Sequence, residues 1–189
     1  LGLAGIGGFD QTYHEHLNYF SLSVLQKLFA KHGLRIFDAK IIPIHGQSLQ
    51  VYISQRPAHI HKSVFDILKR ERKLGLDKIQ TYLRFARRVK ENKRELKQLF
   101  ADIIRKNKHP IIVGYGAAAK GNILLNYFGL GRNEIDFIVD ASESKQGLFA
   151  PKTHIFIASP DILLSLTPTY VLLLAWNYAD VILKKEEEY

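Results

Sequence analysis

The sequence predicts an α/β protein: a Rossmann-like, mostly parallel sheet with flanking helices, preceded by a long helical connector and by a helix plus a β-hairpin. Three patterns predict this fold. Short apolar runs alternate with helix-like segments after residue 110, a glycine turn follows the first of these runs, and apolar residues recur every three or four positions over 79–103. With 189 residues, 47% of them hydrophobic, the chain is long enough for one medium domain or two small ones.

The first segment, 1–58, is predicted to contain the helix and the hairpin. Ser21 is a suitable N-cap for the helix, apolar residues follow it at helical spacing, and Gly33 ends it. Two strand-like runs come next, Leu34–Ile44 and Ser48–Ser54. The short glycine-containing stretch between them predicts a hairpin connection.

The second segment, 59–109, is predicted to be a helical connector between two packed units. A long amphipathic helix with a basic outer face starts near Asp77, after a shorter helix around Val64–Leu68. Residues 62–108 carry sixteen Lys and Arg against six Asp and Glu, a net charge of +10, whereas the rest of the chain has a net charge of −1. Such a face could neutralise nucleic-acid phosphates. Few aromatic residues are interleaved with the charge, however, so we expect a solvated face and no nucleic-acid partner.

The third segment, 110–189, alternates strands and helices, as a parallel sheet covered by helices requires. The predicted strands are Ile111–Val113, Ile135–Val139, His154–Ile157 and Tyr170–Ala175. The predicted helices are Ala117–Tyr127, Pro160–Leu166 and Tyr178–Lys185. Asn177 follows the last strand, and the carboxyl ends of parallel strands face the ligand crevice, so Asn177 is a candidate site residue.

A glycine turn joins the first strand and the first helix of this segment. The motif Gly-x-Gly-x-x-Ala spans residues 114–119, and Asp140 lies 24 residues beyond Gly116, which is close to the dinucleotide-binding fingerprint. Small residues let backbone N–H groups approach a phosphate, and Lys120 and Asn122 add a cation and an amide at the first helical turn. The turn therefore indicates a phosphate-bearing ligand, a nicotinamide cofactor being one choice, or else it serves packing alone.

Four ionisable side chains in a row, Tyr13, His14, Glu15 and His16, precede the predicted first helix. Such a group suits general acid–base chemistry, because a neutral imidazole is a competent base near pH 7. Glu15 could orient a histidine or raise its basicity. His14 and His16 could instead bind a metal, but no third ligand is evident nearby, and ordinary surface histidines are the remaining alternative.

The composition excludes several kinds of chemistry. The chain has no cysteine, which excludes disulfides, zinc thiolate sites and a cysteine nucleophile within it. No apolar run is long enough to cross a bilayer, and no basic stretch leads into an apolar one at the amino end, so we expect no membrane partner and a cytoplasmic protein. Because the chain starts at Leu1 and contains no methionine, we expect it to be a fragment of a longer protein.

Six stretches of the sequence carry a family resemblance. Residues 9–21, Phe-Asp-Gln-Thr-Tyr-His-Glu-His-Leu-Asn-Tyr-Phe-Ser, resemble the catalytic segment of bacterial S-adenosylmethionine-dependent sugar C-methyltransferases of the TcaB9 type. Residues 43–51 resemble the last two strands of the methyl-donor domain of that family, although the family usually has a second glycine where Gln47 stands. Four further stretches resemble the C-terminal Rossmann-like domain of the family. They are 115–126, Lys145-Gln146-Gly147, Pro151-x-x-His154 and 170–177.

The resemblance implies a reaction. In that family a proton leaves the sugar carbon next to the ketone of a nucleotide-linked 4-keto deoxysugar, and the resulting enolate attacks the sulfonium methyl group of S-adenosylmethionine. We expect the methylated carbon to be C3. The resemblance implies His16 as the base, with Tyr13 and Glu15 orienting the sugar or assisting proton transfer, and His14 as a further candidate.

The resemblance also implies how the ligands are shared among domains. The C-terminal domain is expected to hold the nucleotide sugar. The helix and the hairpin are then the remnant of a methyltransferase domain, S-adenosylmethionine is bound mainly by a missing domain, and zinc belongs only to a missing cysteine-rich N-terminal module. This fragment alone is therefore expected to be inactive in methyl transfer. The expected substrate-binding residues are Gly116, Ala117, Lys120, Gly121, Asn122, Asn177 and His45.

An NAD(P)-dependent oxidoreductase, or another nucleotide-binding Rossmann domain, is the alternative function. The spacing of the glycine turn by itself suggests a dinucleotide site. The resemblance suggests a substrate domain that has the Rossmann shape without requiring NAD. We follow the resemblance, because a fold does not fix a function. The sequence leaves the oligomeric state open.

Overall fold

A computed structural model describes residues 8–43 and 47–187 of the chain. The chain divides into two units, Leu1–Val89 and Lys90–Tyr189, and each of them has its own hydrophobic core. The boundary between the units falls within the long helix that the sequence predicts as a connector. The division into three segments stays a prediction.

In the first unit, two helices pack on a hairpin. β1 and β2 pair antiparallel, which confirms the predicted hairpin, and a β-bulge lies between Ile36 and Asp38. The elements are α1 (Leu22–Ala30), β1 (Arg35–Ile42), β2 (Ser48–Ser54), α2 (Lys62–Leu74) and the first part of α3 (Ile79–Lys106). The buried apolar residues of the core are Leu22, Ile36, Ala39, Val64 and Ile67.

Two side chains stabilise the start of α1. Ser21 is the N-cap, as predicted, and its Oγ accepts a hydrogen bond from the Val24 amide at 3.3 Å. Glu71, which lies on α2 and is only 2% exposed, accepts hydrogen bonds from the amides of Leu22 at 2.5 Å and Ser23 at 2.9 Å. The first amides of a helix have no partner within the helix and carry partial positive charge, so this buried carboxylate satisfies them and fixes α1 to α2.

The start of α2 is tied to the hairpin in a similar way. Ser63 donates a hydrogen bond from Oγ to Asp38 Oδ1 at 2.5 Å. This bond is the main reason why the pKa of Asp38 lies below its ordinary value, and the Ala39 amide and the positive charges of His61 and Lys40 act in the same direction. An ionised Asp38 near the first turn of α2 also suits the helix dipole.

In the second unit, four parallel strands form one sheet in the order β5-β4-β3-β6. This arrangement confirms the predicted α/β class with a parallel sheet and flanking helices. The order is that of one half of a Rossmann fold, in which the ligand crevice lies where the winding reverses, here between β3 and β6. None of the helices within the described ranges has an apolar stretch long enough to span a bilayer. The elements are β3 (Ile112–Tyr115), α4 (Ala119–Phe128), β4 (Phe137–Val139), β5 (Ile157–Ala158), α5 (Ile162–Leu166), β6 (Tyr170–Leu173) and α6 (Ala179–Lys185).

The third strand of this sheet is shorter and starts later than predicted. His154 has a φ of 54°, and its amide bonds to the Ala150 carbonyl at 2.9 Å, so a turn occupies the residues expected to begin the strand. Regular pairing covers only β5, and Phe156 forms an isolated antiparallel bridge with Phe149. An apolar run in the sequence does not reveal which of its residues form a turn.

Part of the basic face of α3 has an intramolecular role in the second unit. Lys93 Nζ donates a hydrogen bond to the Tyr127 carbonyl at 2.6 Å and lies 4.9 Å from the centroid of the Tyr127 ring. Tyr127 belongs to the last turn of α4, where carbonyls lack partners within the helix and carry partial negative charge. At least one lysine of the connector therefore stabilises the end of a neighbouring helix.

Replacing Lys93 with alanine is expected to lower the free energy of unfolding of the second unit by about 1–2 kcal/mol, because the α4 carbonyl loses a charged donor and the Tyr127 ring loses a cation. Urea denaturation followed by the fluorescence of Trp176, the single tryptophan, measures the change. Lys90→Ala is the matched control, because Lys90 is exposed on the same helix and its replacement also removes one positive charge. Equal losses in both variants would mean that net charge, and not the helix end, is responsible.

Candidate functional site

The Tyr13–His16 stretch forms a turn that holds the ring of His16 in one orientation. A short 3₁₀ helix, Phe9–Gln11, precedes it, and the His16 amide donates to the Tyr13 carbonyl at 2.9 Å. His16 Nδ1 lies 2.8 Å from the carbonyl oxygen of Gln11. A carbonyl oxygen only accepts hydrogen bonds, so Nδ1 carries the proton, and Nε2 of the neutral ring keeps its lone pair. The arrangement suits a base that accepts a proton at Nε2.

Two tyrosines flank this imidazole. The ring of Tyr13 lies 4.2 Å from the ring of His16, centroid to centroid, at an angle of 39°. The ring of Tyr19 lies 6.3 Å away and is nearly perpendicular, at 85°. The His16 side chain is half-buried between them. The turn thus holds one histidine firmly and brings a phenol beside it.

The other two members of the cluster lie further out. His14 and Glu15 are exposed, and within the described residues neither of them makes a hydrogen bond or an ion pair. His14 has only an edge contact with the Tyr13 ring, at 6.3 Å. The structure therefore brings Tyr13 to His16 and leaves Glu15 and His14 at the surface. Within the described ranges, no three His, Asp or Glu side chains are grouped so that they could hold a metal ion.

The glycine turn of the second unit is closely packed. Gly116 has a φ of 94°, a conformation that favours glycine, and a Cβ at this position would lie 2.6 Å from that of Ala175. A Cβ on Gly121 would lie 2.8 Å from Leu174 Cβ. Both glycines allow the chain after β6 to approach the turn after β3. Part of their role is therefore packing, whichever ligand the crevice takes.

Asp140, the acidic residue of the dinucleotide-like spacing, is bonded within the protein. Its Oδ2 accepts hydrogen bonds from the Ala117 amide at 2.7 Å and from Lys145 Nζ at 3.2 Å, and its Oδ1 accepts one from the Ser142 amide at 2.8 Å. In a dinucleotide site the carboxylate at this position would bind ribose, and the amides of the turn would bind pyrophosphate. Here an amide of the turn and the carboxylate satisfy each other, which disfavours the dinucleotide interpretation.

Some of the expected substrate-binding residues line a small cavity beside the glycine turn. The cavity has a volume of about 40 Å³, and its walls include Gly116, Ala117 and Asn122. Ligand pockets for molecules of drug size usually have volumes of about 300–1,000 Å³, so a nucleotide would have to lie across this notch and not inside it. Asn122 Oδ1 accepts a hydrogen bond from Asn126 at 3.1 Å.

Lys120, Gly121 and Asn177 do not line that cavity. Lys120 is buried, with 9% of its surface exposed, and Gly121 packs against Leu174. Asn177 is half-buried in a short 3₁₀ turn, Trp176–Tyr178, directly after the crevice side of β6. His45 lies outside the described residues.

Three contributors to these sites were not predicted from the sequence. The backbone carbonyl of Gln11 orients His16, and Tyr19 donates its hydroxyl to the same carbonyl at 2.9 Å. Tyr19 could be seen in the sequence, three positions after His16. Its role could not, because any residue can supply a backbone carbonyl as the shared partner. At the end of β3, Tyr115 donates to Glu186 Oε1 at 2.5 Å. Burial, and then the Glu186 carboxylate, raise the pKa of Tyr115, so its phenol stays protonated and fixes the chain end to the sheet.

Comparison with known proteins identifies the family. Residues 43–189 match the family described as the C-methyltransferase C-terminal domain. The chain is also 38% identical over 183 residues to the C-methyltransferase NovU of Streptomyces niveus, a match that covers 96% of this chain and 43% of that protein, so the chain spans less than half the length of this curated relative. The resemblance to sugar C-methyltransferases is confirmed, whereas the TcaB9 type within them stays a prediction. The chain belongs to the C-methyltransferase C-terminal domain family.

Proposed function

We propose that this chain is the C-terminal part of an S-adenosylmethionine-dependent C-methyltransferase that methylates C3 of a nucleotide-linked 4-keto deoxysugar, next to the ketone. Family membership and the similarity to NovU support the class of reaction. The observation that carries the proposal is the bond between His16 Nδ1 and the Gln11 carbonyl, because it leaves Nε2 as a free basic nitrogen on a fixed ring.

In this proposal His16 carries out the first chemical step, the removal of the C3 proton. Its Nε2 takes the proton from C3, and the electron pair of the C–H bond moves into the enolate, whose negative charge develops on the ketone oxygen. Tyr13, beside His16, is the candidate to orient the sugar or to donate a hydrogen bond to that oxygen. Glu15 is a second candidate for orienting the sugar, and His14 is the alternative base.

S-adenosylmethionine, when bound, supplies an electrophilic methyl group. The described residues do not fit it at the glycine turn. The chain after β6 fills the space next to Gly116 and Gly121. The Ala117 amide is bonded to Asp140, and the cavity has a volume of only about 40 Å³. We therefore propose that the donor is held mainly by a part of the enzyme that this chain does not span, as the 43% coverage of NovU allows. Zinc in an N-terminal module stays a prediction, as does inactivity of the fragment alone.

The second unit is proposed to hold the nucleotide part of the substrate at the carboxyl edge of its sheet. The crevice between β3 and β6 is where ligands bind in folds of this kind. The turn 116–122 and Asn177 flank it, with His45 as a further candidate. A cytoplasmic location and the absence of nucleic-acid and membrane partners stay predictions.

The proposed base can be tested without the methyl donor. When this chain is incubated with a nucleotide-linked 4-keto deoxysugar in D₂O, the C3 proton is expected to exchange at least about tenfold faster than in buffer. The C5 proton, on the other side of the ketone, is expected to keep the buffer rate, since a positioned base reaches one carbon. Proton NMR of the sugar follows both positions.

The same experiment separates the alternatives. With the donor present, the natural polypeptide that carries this sequence is expected to give a C3-methylated sugar. The proposal would be contradicted if, at saturating sugar, the C3 proton exchanged no faster than in buffer and no methylated sugar formed. A fluorescence titration with NADH is the second arm: tight binding of NADH without binding of the nucleotide sugar would favour the oxidoreductase instead.

A further inference from the structure

The carbonyl of Gln11 receives three hydrogen bonds. The Tyr13 amide donates to it at 3.1 Å, His16 Nδ1 at 2.8 Å and the Tyr19 hydroxyl at 2.9 Å. A carbonyl oxygen has two lone pairs, so three donors leave it little freedom to turn away from any of them. One backbone atom therefore fixes the main chain of the turn, the imidazole and a phenol together.

The phenol differs from the other two donors in its position along the chain. Tyr13 and His16 belong to the turn itself, whereas Tyr19 lies three residues beyond it, just before α1. Its ring stands perpendicular to the imidazole, with the centroids 6.3 Å apart. Tyr19 is 43% exposed, so burial of its ring does not account for its placement, and its hydroxyl has a defined partner.

The Nδ1 bond decides which nitrogen of His16 can act as a base. The neutral ring exists as two tautomers, and the proton lies on the nitrogen that has an acceptor. If the carbonyl moved away from Nδ1, the Nε2–H tautomer would become populated, and that form has no lone pair on Nε2 to accept a proton from carbon. Whatever holds the carbonyl therefore controls the fraction of competent base.

We propose that Tyr19 is a positioning residue for His16: its hydroxyl holds the Gln11 carbonyl against Nδ1 and so keeps the imidazole in the tautomer with a free Nε2. The catalytic meaning of this role rests on the proposed function, whereas the tautomer itself does not. In the reaction the C3 proton passes to Nε2, its electron pair enters the enolate, and the other ring proton stays on Nδ1, hydrogen-bonded to the Gln11 carbonyl.

The test is a direct measurement of the tautomer. In this chain labelled with ¹⁵N, long-range ¹H–¹⁵N correlation spectra of the neutral ring are expected to show His16 protonated at Nδ1. Tyr19→Phe, which removes one hydroxyl, is expected to lower the Nδ1–H fraction by about threefold or more, as a population shift toward the other tautomer. Tyr82→Phe is the matched control, since the Tyr82 hydroxyl also donates to a carbonyl, that of Leu76 at 2.7 Å, in the same unit.

Activity gives the second readout. In the natural polypeptide that carries this sequence, kcat of the Tyr19→Phe variant is expected to fall by the same factor as its Nδ1–H fraction, with KM unchanged, because only the share of competent enzyme changes. A purely structural role of Tyr19 would leave the tautomer ratio as it is.

The outcomes distinguish this inference from the proposed function. A wild-type ring protonated at Nε2, or equal tautomer fractions in the wild type and Tyr19→Phe, would overturn the role of Tyr19 whatever His16 does. If Tyr19→Phe shifts the tautomer but removal of His16 leaves methyl transfer intact, the positioning of the ring stands and the assignment of the base fails.

Discussion

Replacing His16 with asparagine is expected to reduce kcat for methyl transfer by about 10²–10⁴-fold, which is the usual contribution of a general base. The asparagine amide can still donate a hydrogen bond toward the Gln11 carbonyl, as Nδ1 does at 2.8 Å, but it has no basic lone pair. The turn is therefore kept while the base is lost. Initial rates of labelled methyl incorporation measure the loss, and exchange of the C3 proton in D₂O is expected to fall in parallel.

Two other histidines complete this experiment. His14→Asn tests the alternative base, and we expect at most a small loss, because His14 is exposed and makes no hydrogen bond within the described residues. His32→Asn, at an exposed position after α1, is the control for a histidine outside the cluster. A large loss in His14→Asn with full activity in His16→Asn would transfer the role of base to His14.

The local patterns of the sequence predicted the elements well. Ser21 and Gly33 bracket α1 as expected, with Ser21 Oγ bonded to the Val24 amide and Gly33 at a φ of 69°. The alternation of strands and helices after residue 110 predicted the parallel sheet. These signals act over a few residues along the chain, so one sequence is enough to recognise them. The start of the strand predicted at His154 was wrong, because the sequence does not show that His154 adopts a positive φ.

The sites were less predictable because their key contacts are made at a distance or by the backbone. The spacing of Asp140 from the glycine turn suggested a ribose ligand, but the carboxylate bonds to the Ala117 amide, 23 residues away. The cluster at 13–16 pointed to acid–base chemistry, yet the partner of His16 is a backbone carbonyl. Glu71 is one of six acidic residues in a strongly basic stretch, and nothing in that stretch marks it as buried.

Replacing Glu71 with alanine is expected to lower the free energy of unfolding of the first unit by about 3–5 kcal/mol. The change removes two hydrogen bonds to a charged acceptor and leaves the Leu22 amide, in a residue that is fully buried, without a partner. Urea denaturation followed by circular dichroism measures the loss. Hydrogen exchange of the Leu22 and Ser23 amides should accelerate more than exchange elsewhere in α1, because these two amides lose their acceptor directly.

Two further variants show whether the charge or the oxygen atom matters. Glu71→Gln keeps one acceptor oxygen and loses the charge, so its loss of stability should lie between those of the wild type and Glu71→Ala. Asp66→Ala, exposed on the same helix, removes an equal charge and should change stability by less than about 0.5 kcal/mol. Equal effects of Glu71→Ala and Asp66→Ala would show that the carboxylate does not hold α1. Because α1 begins three residues after Tyr19, loosening its start should also reduce the Nδ1–H fraction of His16. The buried glutamate would then influence the base through the short segment between Tyr19 and α1.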